Sequence, residues 1–535
     1  VNAYWQAQDC AIRFRAYCLE HNLLDFSLTM EVFSRYLLPH DVYRRYFGAR
    51  YRHLLVDNVE ENVPVAQDML RWAMTQVDSA VLTYELGGGH RVFLGVDPLG
   101  ASELARECGR TLVLARPFEA NPDALAFGAA LRRTLGLSAS VDLRGIEGNP
   151  QGALLGTGGG DYWISMIRWA VERVCALVES GVSPGEIALI APYVSEVMRF
   201  TIEEELAARG IALHLLRPST PLREDPIIRA LLVLCVLAHP QWEIGIQGER
   251  YRPSTEDVAL VLGTLLDDLD PIRARHLAEE ALPPGASVLA DLSGAGGPSD
   301  AARLGRLWEN VGFQVRQHYE TLRVWLETYR QGRSEPVDLF LSRIFGDLLS
   351  RPGYGFCNRP DRGRAYGRLV ESAYKFRRAV ALDEETDEGR MARDYVQLIL
   401  GGIASAEYLL DWPRTGAEEA VILAPAYTYL TRDLATDYQI WLDLGSDGWW
   451  NRPNQPLTHP FVLSRHWPLG QPWRDVEEQQ ANREALGRVV WGLVARCRKG
   501  IFLATSGLGI DGMEQDGRLQ RAILRVARSR KAAHD

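Results

Sequence analysis

The sequence contains very little lysine. Only Lys375, Lys499 and Lys531 occur among the 59 Lys and Arg residues of the 535-residue chain, and no Gly-Lys pair is present. A phosphate-binding loop of the form G-x-x-x-x-G-K-[ST] needs that pair, because its lysine reaches the phosphates. Residues 1–535 therefore contain no such loop. If the protein binds a nucleotide in this way, we expect the loop to lie before Val1.

Cysteine motifs, long apolar runs and excess positive charge are also missing. The seven cysteines are scattered, with no C-x-x-C or other metal-ligand spacing, which favours reduced thiols in a cytoplasmic protein. No apolar run approaches the roughly 20 residues of a membrane span, and no signal peptide is recognised. The net charge is −10, so any binding of nucleic acid has to use local basic patches. We expect a cytoplasmic protein without a membrane segment.

Short apolar runs alternate with helical patterns along much of the chain. Runs of this length are typical of parallel strands that are buried on both faces. Their alternation with helices predicts an α/β fold with a doubly wound parallel sheet. The predicted strands cover residues 54–56, 92–96, 111–114, 187–190, 421–423, 440–444 and 501–504.

Glycine content and helical periodicity divide the chain into parts. Residues 146–160 include Gly156-Thr-Gly-Gly-Gly160, which is typical of a flexible linker. Residues 226–410 show almost only helical periodicity. The predicted order is an α/β part (1–145), a linker (146–160), the start of a second α/β part (161–225), a helical insertion (226–410) and the rest of the second α/β part (411–535).

The most informative stretch runs from Tyr51 to Gln67. A predicted strand ends there at Asp57 and turns into a helix, and an acidic residue at a strand tip can hold the Mg²⁺ of a nucleotide. The stretch resembles motif II of UvrD/Rep-type superfamily 1 DNA helicases, L-V-D-E-F-Q-D-T-N-P-x-Q, with Asp57, Pro64 and Gln67 at matching positions. On its own, an Asp at a strand end is common to all doubly wound folds.

The resemblance implies that Asp57 ligates Mg²⁺. The catalytic Glu of the motif is replaced by Asn58, and an amide cannot act as a base near neutral pH. Glu60 and Glu61, which follow in the same turn, are therefore the candidates for the base that activates the attacking water.

Later segments resemble the motifs that contact the γ-phosphate in the same family. Asp97 and Pro98 match motif III, V-G-D-P-x-Q-S-I, but the Gln that senses the γ-phosphate falls at Gly100. Asp97 is the candidate nucleotide contact in this motif. Glu119 stands where the family has an Arg, and its charge should repel a polyanion.

The segment from residue 488 to residue 503 resembles motif VI, R-L-x-Y-V-A-L-T-R-A-R-K-x-L-x-L. Arg496 and Arg498 fall on the arginines of that motif, where a planar, permanently charged guanidinium suits a γ-phosphate. The alternative is a basic helix end that interacts with the helix dipole. The K-G-L-E core of motif V, which usually couples ATP to DNA, is missing.

The resemblance as a whole implies RecA-like core domains. Residues 1–145 would be the C-terminal part of the first domain, and the helical insertion would interrupt the second. It also implies ATP and Mg²⁺ as cofactors, single-stranded or partially duplex DNA as partner, and ATP-dependent translocation or unwinding in DNA repair or recombination.

Two other classes of protein are alternatives to this motor. The first is a non-catalytic pseudo-helicase scaffold that binds DNA or a repair protein, favoured by Asn58, Gly100, Glu119 and the missing K-G-L-E. The second is a Rossmann-like metabolic enzyme, which would need a G-x-G-x-x-G after its first strand, and none is present.

Two groups of aromatic residues could stack on nucleic-acid bases. One is the Arg-rich stretch from Tyr43 to His53, and the other is the set of tryptophans at 441, 449, 450 and 467. For both groups, packing within the fold is the favoured interpretation.

Overall fold

The computed structural model describes residues 2–114, 120–137, 146–216, 222–246, 248–293, 298–332, 334–380, 387–402, 419–452 and 454–528. The chain divides into two compact units. We call Val1–Pro218 with Asp411–Asp535 the sheet unit, and Ser219–Leu410 the helical unit.

Helices and strands alternate along most of the sheet unit, whereas the helical unit is almost entirely helical. The chain begins with α1 (Asn2–Glu20), α2 (Phe26–Val32), α3 (Asp41–Arg50), β1 (His53–Val56), α4 (Pro64–Met74), β2 (Ser79–Leu82), α5 (Pro98–Glu103), α6 (Pro122–Thr134), β3 (Leu154–Gly160), α7 (Trp163–Glu179), β4 (Ile187–Ala191), α8 (Glu196–Ala207) and β5 (Ala212–Leu215). The helical unit has α9 (Pro226–Ala238), β6 (Ile244–Ile246), β7 (Glu249–Tyr251), α10 (Thr255–Leu265), α11 (Pro271–Ala281), α12 (Pro298–Val311), α13 (Phe313–Arg330), α14 (Val337–Ile344), α15 (Pro360–Val380) and α16 (Glu388–Leu400). The chain ends with β8 (Ala420–Pro425), α17 (Ala426–Thr431), β9 (Thr436–Trp441), α18 (Asp475–Ala495), β10 (Cys497–Ser506) and α19 (Arg518–Arg528).

Six parallel strands form the main sheet of the sheet unit, in the order β3-β10-β9-β4-β8-β5. Every residue of β4 is buried, as expected for a strand that is covered on both faces. The predicted α/β class is confirmed, and so are the strands predicted at 187–190, 421–423 and 501–504. The strand predicted at 440–444 begins earlier and ends at Trp441.

Helices cover both faces of this sheet. On one face, Met166 of α7 and Ile202 of α8 belong to the same hydrophobic core as Leu189 of β4. On the other, Phe127 of α6 and Leu493 of α18 belong to a second core. Helix α6 lies within residues 1–145, which the sequence assigns to the first domain, but its apolar side chains join the core of the six-stranded sheet.

The linker predicted over residues 146–160 is wrong for its second half, where β3 forms. β3 pairs with β10, with Gly156 opposite Phe502 and Gly160 opposite Ser506. Glycine is needed because a Cβ on Gly158 would overlap the ring of Trp169 in α7. Only the first two residues of β3, Leu154 and Leu155, have large apolar side chains, so the glycine-rich remainder gives no apolar run and its sequence looks like a linker.

Strands β1 and β2 form a separate two-stranded parallel sheet. β1 confirms the strand predicted at 54–56, whereas β2 was not predicted. The strand predicted at 92–96 is wrong, because Val92–Leu94 form a 3₁₀ turn that ends at Gly95 with φ 88°. The strand predicted at 111–114 is also wrong, since these residues have no regular structure.

The helical unit is built around one large hydrophobic core. Its members include Leu231 of α9, Leu322 of α13 and Leu369 of α15, all fully buried. The helical periodicity of the sequence is confirmed for the described part of residues 226–402, apart from the antiparallel hairpin β6–β7. In both units, no helix among the described residues is long and apolar enough to cross a membrane.

Many aromatic residues of the two groups pack within the fold. Trp441, Trp449 and Trp450 are buried. In α3, Phe47 is buried and its ring lies 5.0 Å from that of Trp72. Packing is therefore confirmed for these buried residues, whereas Tyr46 and Tyr51 are exposed and Trp467 is half-buried.

Candidate functional site

Asp57 lies immediately after β1, at the edge of the sheet where β2 also ends. Its Oδ1 accepts hydrogen bonds from the hydroxyl of Thr83 and from the backbone N–H of Asn58, the latter at 3.1 Å. Thr83 follows β2, and the carboxyl ends of parallel strands meet at the same edge of a sheet. Asn58 adopts a left-handed conformation with φ 51°, so the chain turns sharply after the carboxylate. The Asp57 side chain is exposed.

Glu60 points into the protein. It is 1% exposed, and its Oε2 accepts the backbone N–H of Glu85 at 3.0 Å. Burial raises the pKa of Glu60 to about 7, although the hydrogen bond from Glu85 opposes the shift. Close packing continues at Gly88, where a Cβ would lie 2.8 Å from Cγ of Glu60.

Glu61 binds the same loop further along. Its carboxylate accepts the backbone N–H groups of His90 at 2.7 Å and of Arg91 at 3.4 Å. Glu60 and Glu61 together therefore fix the segment from Glu85 to Arg91, which we call the β2 loop. Both carboxylates accept hydrogen bonds from backbone N–H groups of this loop, and these bonds hold the two side chains in position.

Asp97 is the N-cap of α5. Its Oδ1 accepts the backbone N–H of Gly100 at 3.0 Å, and its Oδ2 lies 2.9 Å from Nε2 of His466. The backbone carbonyl of Asp97 accepts a hydrogen bond from Nε2 of Gln67 at 2.7 Å. A side chain at position 100 has no room, because its Cβ would overlap Oδ2 of Asp97 and lie 2.5 Å from Oε1 of Gln67.

Arg496, at the end of α18, is held by two carboxylates. Its Nη1 and Nη2 donate to the two oxygens of Glu85 at 3.1 and 3.0 Å. Its Nε and Nη2 donate to Oδ1 of Asp433 at 3.0 and 2.8 Å. Burial by itself would lower the pKa of Arg496, but the bonds to Glu85 and Asp433 outweigh it and raise the pKa.

Arg498, unlike Arg496, does not bind the β2 loop. It is in β10, and its Nη1 donates to Oε2 of Glu186 at 2.8 Å, with Oδ1 of Asp437 at 4.0 Å. Among the predicted site residues, the structure thus connects Glu60, Glu61 and Arg496 through the β2 loop. It does not bring Arg498 to that loop. Glu119 lies outside the described residues.

Several residues of this region are not predicted by the sequence. Thr83 binds Asp57, while Glu85 and Asp433 bind Arg496. The triple glycine at residues 87–89 is the one signal in the sequence that a tight loop follows β2. No motif marks Asp433, which binds a residue 63 positions away.

Comparison with known proteins gives no assignment for these residues. Neither a protein-family model nor a curated protein matches the chain. Within the part of the chain that the structure describes, no group of three or more His, Cys, Asp or Glu side chains could hold a metal ion. The carboxylate of Asp57, the predicted ligand of Mg²⁺, is bound by Thr83 and Asn58.

Proposed function

We propose that this chain is a helicase-like scaffold related to UvrD/Rep-type proteins, which binds DNA or a repair or recombination protein without hydrolysing ATP. The proposal is supported by the order of the motif-like segments and by the parallel sheet. The observation that carries it is the set of contacts made by Arg496.

The guanidinium of Arg496 has no donor left for a ligand. Glu85 takes two of its N–H groups in bidentate geometry, Asp433 takes two, and the carbonyl of Gly492 accepts from Nη1 at 3.4 Å. A γ-phosphate would have to displace Glu85, and separating this half-buried ion pair costs about 1–3 kcal/mol, less than the separation of a fully buried pair. In this proposal, Glu85 and Asp433 take the N–H donors of Arg496 that the family resemblance would assign to a γ-phosphate.

Other positions also do not fit an ATP-hydrolysing site. Asn58 has no basic group to activate water. Gly100 has no side chain to sense a phosphate, and Asp97 and Gln67 fill the space that one would need. The residues in place therefore argue for the scaffold and against hydrolysis.

An ATP-driven motor is the second candidate, and one observation favours it. Glu60 has a pKa raised to about 7, a value suited to a general base at neutral pH. Its hydrogen bond to Glu85 connects it to the residue that holds Arg496.

ATP hydrolysis by the full-length protein, with and without single-stranded DNA, separates the two candidates. The scaffold predicts no DNA-stimulated turnover above that of the Asp57→Ala variant. Turnover that is stimulated by DNA and lost in Asp57→Ala would establish the motor, and loss in Glu60→Gln would then identify its base.

The DNA-binding part of the proposal is supported by α19. Arg521, Arg525 and Arg528 are exposed and spaced four and three residues apart, so they lie on one side of the helix. Such a stripe supplies the local basic patch that a chain of net charge −10 needs.

A salt titration of DNA binding tests this patch. We expect Arg525→Ala/Arg528→Ala to weaken binding of labelled single-stranded DNA roughly tenfold and to reduce the salt slope by about 1–2, because phosphate contacts are lost. The control Arg13→Ala/Arg306→Ala removes the same charge from other exposed positions. Equal loss in both variants would mean that α19 is not the binding surface.

A further inference from the structure

A small cavity lies between the β2 loop and α18. Its volume is about 20 Å³, and its lining includes His90, Phe93, Tyr427, Arg452, Phe461 and Arg488. A void of this size holds one water molecule or a single ion of similar radius. It is too small for a phosphate group.

Arg488 contributes a positive charge to this cavity. In the described part of the chain it makes no hydrogen bond or ion pair; the carboxylates of Glu484 and Glu61 attract it only from a longer distance. The other two arginines nearby are neutralised: Arg452 is bound by Glu478 at 2.7 and 2.8 Å, and Arg496 by Glu85.

His90 contributes a second polar group without a partner. It is buried, and neither ring nitrogen has a hydrogen-bond partner among the described residues. Burial lowers the pKa of His90 to about 3, and the charges of Arg496 and Arg488 act in the same direction. The ring is therefore neutral, with one N–H available as a donor.

Both Arg488 and His90 need a hydrogen-bond acceptor. Arg488 is half-buried and has no close carboxylate, and a charge that is partly withdrawn from water is stabilised by a counter-charge within reach. The ring of His90 and the hydroxyl of Tyr427 add donors, and the lining side chains named above supply no carboxylate. An anion with the volume of one water molecule could accept hydrogen bonds from Arg488, His90 and Tyr427.

We propose that this cavity binds one monatomic anion of the size of chloride, held by the guanidinium of Arg488 with the donors of His90 and Tyr427. The anion connects the β2 loop, which carries Glu85 and His90, to α18, which carries Arg488 and leads into Arg496. Bound there, it stabilises the arrangement in which Glu85 reaches Arg496. The site does not depend on the proposed function, since it holds for a scaffold and for a motor alike.

Thermal unfolding of the full chain in different sodium salts tests the site. At constant ionic strength, replacing gluconate by chloride or bromide is expected to raise Tm by about 2 °C and to saturate, because a ligand that binds only the folded state stabilises it. Arg488→Met should abolish this dependence, whereas Arg488→Lys should keep part of it. The control Arg483→Met changes an arginine of the same helix whose side chain bonds Gln480, and it should respond like the parent protein.

Anomalous diffraction from crystals grown in bromide gives the position of the ion. A peak between Arg488 and His90 is expected. A Tm that rises equally in Arg488→Met would indicate a general salt effect and would overturn the site. An ordered water in place of the bromide peak would overturn it as well.

Discussion

Glu85 and Asp433 both bind Arg496, but their side chains differ in exposure, at 32% and 75%. We expect Glu85→Gln to lower the free energy of unfolding by about 1–3 kcal/mol, because it leaves a buried guanidinium partly uncompensated. Asp433→Asn should cost less than about 1 kcal/mol, since its charge is screened by solvent. Urea denaturation of both variants measures the difference. Equal losses would contradict the ranking by burial.

Glu60 is expected to make stability depend on pH. Its pKa is raised from 4.5 to about 7, so the folded state keeps a proton that the unfolded state has already released. Stability should therefore fall as pH rises from about 4.5 to about 7, by up to about 3 kcal/mol, and stay constant above that range.

Glu60→Gln should remove this dependence, because an amide does not titrate in this pH range. The amide oxygen can still accept the hydrogen bond from the backbone N–H of Glu85. At a pH of about 8 the variant should be more stable than the parent protein, and at a pH of about 5 the two should be similar. Denaturation curves at both values measure the effect. The exposed Glu179→Gln is the matched control, and a parent-like pH dependence in Glu60→Gln would exclude Glu60 as its source.

Only part of the site can be predicted at the residue scale. Asp57 and Arg496 are predicted as site residues because each belongs to a short motif with a fixed place on a strand or helix. Glu85 cannot be found in this way, since its partner Arg496 lies 411 residues further along the chain. Long-range ion pairs leave no local pattern in a single sequence.

Among the elements, β3 gives the sharpest test of packing. A Cβ on Gly158 would overlap Trp169, whereas the nearest atom to a Cβ on Gly156 is in the ring of Phe502 at 3.3 Å. We expect Gly158→Ala to destabilise the protein by about 1–3 kcal/mol, and Gly156→Ala by less than about 1 kcal/mol. Urea denaturation compares two substitutions in the same strand. Similar small effects would mean that Trp169 can move aside.

The elements that the sequence predicts correctly share one property. β4 and β8 are apolar at nearly every position because both faces are covered, and this produces a visible run. β3 was missed because four of its seven residues are glycine, which leaves no long apolar run. β2 was missed although it is as long as β1, which was predicted. The apolar run at residues 92–96 predicts a strand that does not form, because the chain turns at Gly95.

At the scale of the whole molecule, the chain contains two units whose cores are separate. The core around Leu369 draws every member from residues of the helical unit, while Leu493 belongs to a core of the sheet unit. Units with their own hydrophobic cores tend to unfold as separate cooperative steps. We therefore expect chemical denaturation of the full chain to show two transitions.

Two substitutions assign these transitions. Leu369→Ala and Leu493→Ala each remove a fully buried side chain, and each should destabilise its own unit by about 2–5 kcal/mol. Leu369→Ala should lower the midpoint of one transition and Leu493→Ala that of the other, as followed by tryptophan fluorescence and circular dichroism. If both substitutions shift one common transition by the same amount, the two cores unfold as a single unit and the stability of each depends on the other.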